Sequence, residues 1–185
     1  MLDNLFEGFL REKKYIFRPK TFTERRTYTM VLLLIDTGVR IDEALSLTRD
    51  HLDFDNLMIK VRGKGAKERL VPMSYELRAA FIRFLGLSLH RFELVFPTRK
   101  GTRQYYGDVY RTFAKLCQRL GIKPIGFHCC RRTYARNYLK NDGNLFYLQA
   151  SMGHSKLETA RRYVEVEPEA LKKAHLKTSV LSRLK

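Results

Sequence analysis

A phenol, two imidazoles, two guanidiniums and a lysine stand along this 185-residue chain in one order: Arg40, Lys64, His128 with Arg131 three residues on, His154, and Tyr163 nine residues beyond that histidine. Together these groups are equipment for attacking a phosphodiester without a metal ion. Each alone has a plainer reading. An arginine after a helix-ending glycine is ordinarily a cap or salt-bridge partner, and a Gly-Lys-Gly turn is ordinarily a flexible hairpin tip. His128 would suit a core, His154 after Gly153 would suit a helix start, and Tyr163 is one of ten tyrosines. The joint order is what requires explanation.

Charge points to the substrate class. The chain carries 36 Lys and Arg against 19 Asp and Glu, a formal net charge of +17 and a pI near 10. An excess this large in so short a chain repels itself unless a polyanion neutralises it. The basic residues are spread from Lys13 to Arg162 instead of forming one polybasic amphipathic helix, which favours nucleic acid over an anionic membrane. The longest apolar run, Met30 to Ile35, falls far short of the ~18 residues a membrane span needs. The N-terminus lacks the pattern of a signal peptide, so a cytoplasmic, nucleoid-associated location is expected.

Cofactor chemistry finds little support in the sequence. Three cysteines, two of them adjacent at Cys129 and Cys130, make a poor disulfide framework and are expected to be reduced thiols. No CxxC or HxxxH partner accompanies His128, so neither a metal site nor a cofactor is expected. There is no GxxxxGK[ST] loop for a nucleotide. Asp50, Asp53 and Asp55 lack the glycine and distal glutamate of a calcium loop and are assigned to a turn and a short first strand.

The elements that must position these residues read as mostly helix with one small sheet. Thr23-Glu24 opens a helix through Thr37 with Tyr28, Val31, Leu32 and Ile35 inward, and Gly38 ends it. Arg40 starts a second helix with Ile41, Ala44, Leu45 and Leu47 inward and Asp42 and Glu43 in its first turn. From His51 to Met73 the period changes to two, broken by Gly63-Lys64-Gly65-Ala66-Lys67, which predicts a hairpin with a basic tip. Helices are expected over Tyr75–Leu89, Tyr106–Leu120, His128–Leu139, Leu145–Ala150 and Glu158–Tyr163, with a loop over Phe92–Thr102 and a tail helix after Pro168. In the fifth helix, His128 and Arg131 are placed on one face, within reach of one ligand. Tyr134, Tyr138 and Tyr147 are expected in core or groove packing.

Four separated motifs carry a resemblance. Thr37-Gly38-Val39-Arg40-Ile41-Asp42-Glu43-Ala44-Leu45, then Gly63-Lys64-Gly65-Ala66-Lys67-Glu68-Arg69 with Val71-Pro72, then His128-x-x-Arg131, then Gly153-His154-Ser155 with Thr159 and Tyr163 resemble the catalytic domain of tyrosine recombinases, the phage-integrase family. The resemblance covers about residues 20 to 170. It implies an α+β fold, mainly α-helical with a small antiparallel sheet, and a site-specific recombinase or integrase. Such an enzyme cleaves and rejoins double-stranded DNA through a 3′-phosphotyrosine, without metal or ATP.

By the same resemblance, Arg40, Lys64, His128, Arg131 and His154 fall on catalytic positions and Tyr163 on the nucleophile. A phenol of pKa about 10 is a weak nucleophile at neutral pH, and His128 is the candidate to assist it. Arg40 and Arg131 suit bidentate contact with the non-bridging phosphate oxygens, His154 a further hydrogen bond, and Lys64 protonation of the leaving 5′ oxygen.

The expected organisation is an N-terminal segment or linker remnant at 1–20, a catalytic domain at 21–167, and a C-terminal tail at 168–185 that contacts its own core or a neighbouring protomer. The resemblance further implies a homotetramer on synapsed DNA sites in the full-length protein. An isolated catalytic fragment or a naturally short protein is expected, since only about 20 residues precede the first motif-bearing helix. Two features depart from the family pattern: Arg132 stands where many members have histidine, and Cys130 replaces a common leucine. Two other readings stay open. One is a topoisomerase-like or resolvase enzyme of the same chemistry. The other is a noncatalytic DNA-binding regulator that keeps the fold.

Overall fold

The computed structural model describes residues 21–63, 67–87, 92–119, 121 and 123–153. Its first helix, α1 (Phe22–Thr37), is capped two residues earlier than Thr23-Glu24 implies: the Thr21 hydroxyl accepts from the Glu24 N–H at 3.2 Å. The fully buried apolar side chains of α1 are Met30, Val31, Leu33 and Leu34, while Tyr28, Leu32 and Ile35 are only partly buried. The expected single stripe is therefore too narrow. Helices α3 (Tyr75–Leu85), α4 (Tyr106–Arg119) and α5 (His128–Lys140) all pack on α1, so more than one face is covered.

Gly38 terminates α1 in the left-handed region, φ 65°, and its N–H donates to the Leu34 carbonyl. Only glycine fits, because a Cβ there would stand 2.3 Å from Tyr134 Cδ1 on α5. This turn delivers Arg40, in extended conformation, to the start of α2 (Ile41–Leu45). A 3₁₀ turn (Arg49–His51) leads into β1 (Leu52–Asp53), followed by β2 (Met58–Arg62) and β3 (Glu68–Pro72). The three strands form an antiparallel sheet in the order β1-β2-β3, with Ile59 opposite Val71 and Val61 opposite Arg69. Ile59, Val61 and Val71 enter the core while Leu70 stays exposed, the alternation the period of two predicts.

Asp53 lies in β1 and accepts from the Asn56 backbone and side-chain amides at 2.9 and 2.7 Å, closing the turn that contains Asp55. The hairpin base between β2 and β3 is closed by Gly63 N–H donating to the Lys67 carbonyl at 2.8 Å. Lys64 and its two following neighbours lie outside the described residues.

The remaining boundaries differ modestly from expectation. Helix α3 ends at Leu85 instead of Leu89, where Gly86 N–H donates to the Ile82 carbonyl; α5 runs to Lys140, and α6 (Leu145–Met152) extends two residues past Ala150. The segment expected as a loop after Phe92 contributes core. Its Leu94 bridges Thr48, Val95 N–H donates to the Leu47 carbonyl at 2.8 Å, and Val95 and Phe96 are buried. Phe96 stands between Phe81 and Phe84 at centroid distances of 6.0 and 5.8 Å, and Phe84 stacks on Phe22, so an aromatic column joins α1, α3 and this segment. A smaller cluster of Ala135, Leu148 and Met152 seats α6 on α5. Expectations for Glu158–Tyr163 and the tail helix fall outside the described residues.

Candidate active site

Helix α2 positions Arg40 through one carboxylate. Glu43, one turn into the helix, accepts from the Arg40 backbone N–H at 2.8 Å and from Arg40 Nη1 at 3.1 Å. The same carboxylate receives a bidentate fork from Arg69 on β3, Nη1 to Oε1 at 2.9 Å and Nη2 to Oε2 at 2.8 Å. Both partners are nearly dry, with side-chain exposures of 12% for Arg69 and 6% for Glu43, whereas the Arg40 side chain is 46% exposed. Burial pushes the Glu43 carboxyl up, but the Arg69 hydrogen bonds, the Arg40 backbone bond and the two guanidinium charges outweigh it and hold the group below the ordinary carboxylate range.

Arg69 also reaches α6, where its Nε donates to the Ser151 carbonyl at 2.6 Å. Gly153 caps α6 in the left-handed region, φ 63°, and a Cβ there would meet Arg69 Cδ, Cζ and Nε at 3.2 Å. The guanidinium thus lies against the glycine backbone. An open groove of about 890 Å³ runs between these elements, lined by Arg40, Arg62, Gly63, Lys67, Arg103 and Gly153 among others. Arg40, the two flanks of the Lys64 tip and the residue before His154 therefore face one basic groove. Arg103 is ion-paired to Asp42 at 3.2 Å, and Glu68 takes Lys60 and Arg62 at 2.7 and 2.8 Å.

Arg131 stands beneath this arrangement. It is 2% exposed, and its Nη1 and Nη2 donate to the carbonyls of Gly38 and Met152 at 2.6 and 2.5 Å. These carbonyls lie two residues before Arg40 and two before His154. One buried guanidinium thereby sets the Arg40 turn against the end of α6. His128 opens α5 and is exposed, so the i, i+3 relation places it on the surface and Arg131 in the interior. Lys64, His154 and Tyr163 lie outside the described residues.

Glu43 and Arg69 are the participants that local reading missed. Arg69 is separated from Glu43 by 26 positions and from Ser151 by 82, so no helical or strand period exposes the set. Among the other tyrosines, Tyr134 and Tyr138 are partly buried, their rings tilted at 43° with centroids 5.9 Å apart, and burial raises the Tyr134 phenol above its ordinary value. Tyr147 departs from expectation: it is 71% exposed, in the first turns of α6. Among the described residues no group of three or more His, Cys, Asp or Glu is disposed to hold a metal ion, and no helix is long and apolar enough to cross a membrane.

Comparison with known proteins gives a consistent answer. The tyrosine recombinase XerD of Vibrio cholerae serotype O1 is 32% identical over 166 residues, 85% of this chain and 55% of XerD. XerC of Thermodesulfovibrio yellowstonii is 31% identical over 173 residues, 88% of this chain and 57% of XerC. The chain spans little more than half the length of these relatives. The crystal structure of XerA recombinase superposes with a TM-score of 0.73 at 25% identity, covering 96% of this chain and 61% of that one. The Tn1549 transposon integrase, solved with transposon right end DNA, shares the fold at a TM-score of 0.75 and 22% identity, over 94% of this chain and 64% of that one. The profile of the phage integrase family matches residues 14–170, and the chain belongs to that family.

Proposed function

We propose that this chain is the DNA-cleaving and rejoining part of a site-specific tyrosine recombinase, with residues 21–167 as its catalytic unit. The observation that carries the reading is the basic groove in which Arg40 meets both flanks of Lys64 and the residue preceding His154. The net charge of +17 suits a duplex DNA partner. The relatives' name as tyrosine recombinases, and the solved Tn1549 integrase–DNA complex, support the same substrate.

In this mechanism the Tyr163 oxygen attacks a backbone phosphorus, with His128 taking up or sharing the phenolic proton. Negative charge grows on the non-bridging oxygens, where Arg40 and His154 donate. Arg131 adds buried positive charge and holds the two segments that carry them. The bond from phosphorus to the 5′ oxygen breaks as Lys64 protonates that oxygen, leaving a 3′-phosphotyrosine and a free 5′ hydroxyl. The reverse steps rejoin the strand to the same or a new partner. Removing one phosphate donor would cost about 3 kcal/mol of barrier, ~100-fold in rate. Strand exchange takes place in a homotetramer on paired sites.

The test is a nicked suicide duplex bearing a site selected by the chain from a random-sequence library. An SDS-resistant protein–DNA adduct is expected from the wild-type chain, and none from Tyr163→Phe. No wild-type adduct, or an undiminished one from Tyr163→Phe, overturns the assignment.

A further inference from the structure

We propose that Arg69 is a positioning residue that holds the β2–β3 hairpin, to whose connection Lys64 belongs in sequence, in register with α2 and the end of α6; the inference rests on the recombinase reading above. Every nitrogen of its guanidinium is engaged with protein. Nη1 and Nη2 donate to Glu43, and Nε donates to the Ser151 carbonyl. Arg69 lines the groove, but its three nitrogens are each committed to protein acceptors and only 12% of its side chain is exposed, the arrangement of a bracket.

What the bracket touches is specific. A Cβ built on Gly63, the residue before Lys64, would stand 3.6 Å from Arg69 Nη1 and 3.7 Å from Glu43 Oε1. On the other side, Gly153, the residue before His154, lies flat against Arg69 Cδ, Cζ and Nε. Glu43, its carboxylate partner, holds the backbone and guanidinium of Arg40. One ion pair therefore abuts the immediate neighbours of two expected site residues and grips a third directly. At Gly153 a side chain would crowd the guanidinium, whereas Gly63 meets the pair at ordinary van der Waals distance. Arg69 is also five residues along the same hairpin from Lys64, so a shift of its side chain moves the base on which the tip is mounted.

A positioning role for the proton donor differs from a stabilising role in one measurable respect. Replacing the bridging 5′ oxygen of the scissile phosphate by sulfur gives a leaving thiolate that departs without a proton. A defect in Lys64 placement is then relieved, whereas a defect in folding or phosphate binding is not. Single-turnover adduct formation is measured for wild type, Arg69→Ala and Arg69→Lys on nicked suicide duplexes with oxygen or sulfur at that position, alongside duplex affinity.

Arg69→Ala is expected to cleave the oxygen substrate ~100-fold slower than wild type, the order associated with an ångström-scale misplacement. On the sulfur substrate its deficit shrinks to ~10-fold or less, with duplex affinity within about 2-fold of wild type and Arg69→Lys in between. An equal deficit on both substrates, or no deficit, overturns the proposal. Should Arg69→Ala not fold, the same two outcomes are read from Arg69→Lys, which keeps charge and length but loses the planar fork. A wild-type chain that forms an adduct with neither substrate overturns the recombinase reading and this inference with it; a wild-type adduct with an unrelieved Arg69 deficit overturns this inference alone.

Discussion

Glu43→Gln is the substitution that probes the centre of this structure with least change of shape. The carboxylate receives four donors, Arg40 Nη1 and Arg69 Nη1 on Oε1 and the Arg40 backbone N–H and Arg69 Nη2 on Oε2. A glutamine amide presents one oxygen and one NH₂, so whichever way it turns, two donors face a donor. The contact also loses its negative charge, leaving Arg69 nearly dry and unneutralised. Breaking a buried pair by removing one partner costs about 3 to 5 kcal/mol, and the lower end applies because the share from half-exposed Arg40 is screened. With a urea dependence of about 3 kcal/mol per molar, a loss of about 3 kcal/mol lowers the unfolding midpoint by about 1 M. The assay is equilibrium urea unfolding of wild type, Glu43→Gln, Arg69→Met and the double variant. The two losses should fall short of additivity by about 2 kcal/mol in the double variant. A midpoint shift under about 0.2 M for Glu43→Gln, or strict additivity, would refute the claim that this pair joins α2 to β3.

Other outcomes follow from the same contacts. Because the folded Glu43 carboxyl is held below its ordinary value of 4.5, its stabilisation is present above that value and is lost as pH falls through the lower folded value; urea midpoints should therefore show the gap between wild type and Glu43→Gln closing below about pH 4.5. Gly38→Ala meets both a left-handed backbone and the Tyr134 ring, and thermal unfolding should register a loss of at least ~2 kcal/mol. Burial raises the thiols of Cys117 to about 11 and Cys130 to about 12, so a disulfide reagent at neutral pH should label Cys129 first, with the other two reacting only on unfolding.

The parts of the fold written in local pattern were legible. Gly38 at the end of α1, the Ile59–Val61–Val71 alternation of the sheet and the start of α5 at His128 each depend on neighbouring residues, which periodicity reads. The inward face of α1 was read too narrowly, because a helix packed on several sides has no single stripe. The segment after Phe92 read as a loop because its pairing with Thr48 and its aromatic contacts are made with distant elements. Within the site, the order of the motifs agrees with the shared groove of Arg40, Gly63, Lys67 and Gly153, while Lys64, His154 and Tyr163 lie outside the described residues. The Glu43–Arg69 bracket and the anchoring of Arg131 to the Gly38 and Met152 carbonyls were not legible. They join positions from separate motifs, and nothing local distinguishes a buried bracketing arginine from one aimed at phosphate.

The most direct test of the central claim is the identity of the attacking atom. After reaction with a suicide duplex, nuclease trimming and trypsin digestion, tandem mass spectrometry locates the residual nucleotide on the protein. The peptide from Tyr163 to Lys172 contains a single tyrosine, which makes the position unambiguous. A nucleotide 3′-phosphate on Tyr163 is the expected result. The same mass on Tyr134, Tyr138, Tyr147 or any residue other than Tyr163 would contradict it.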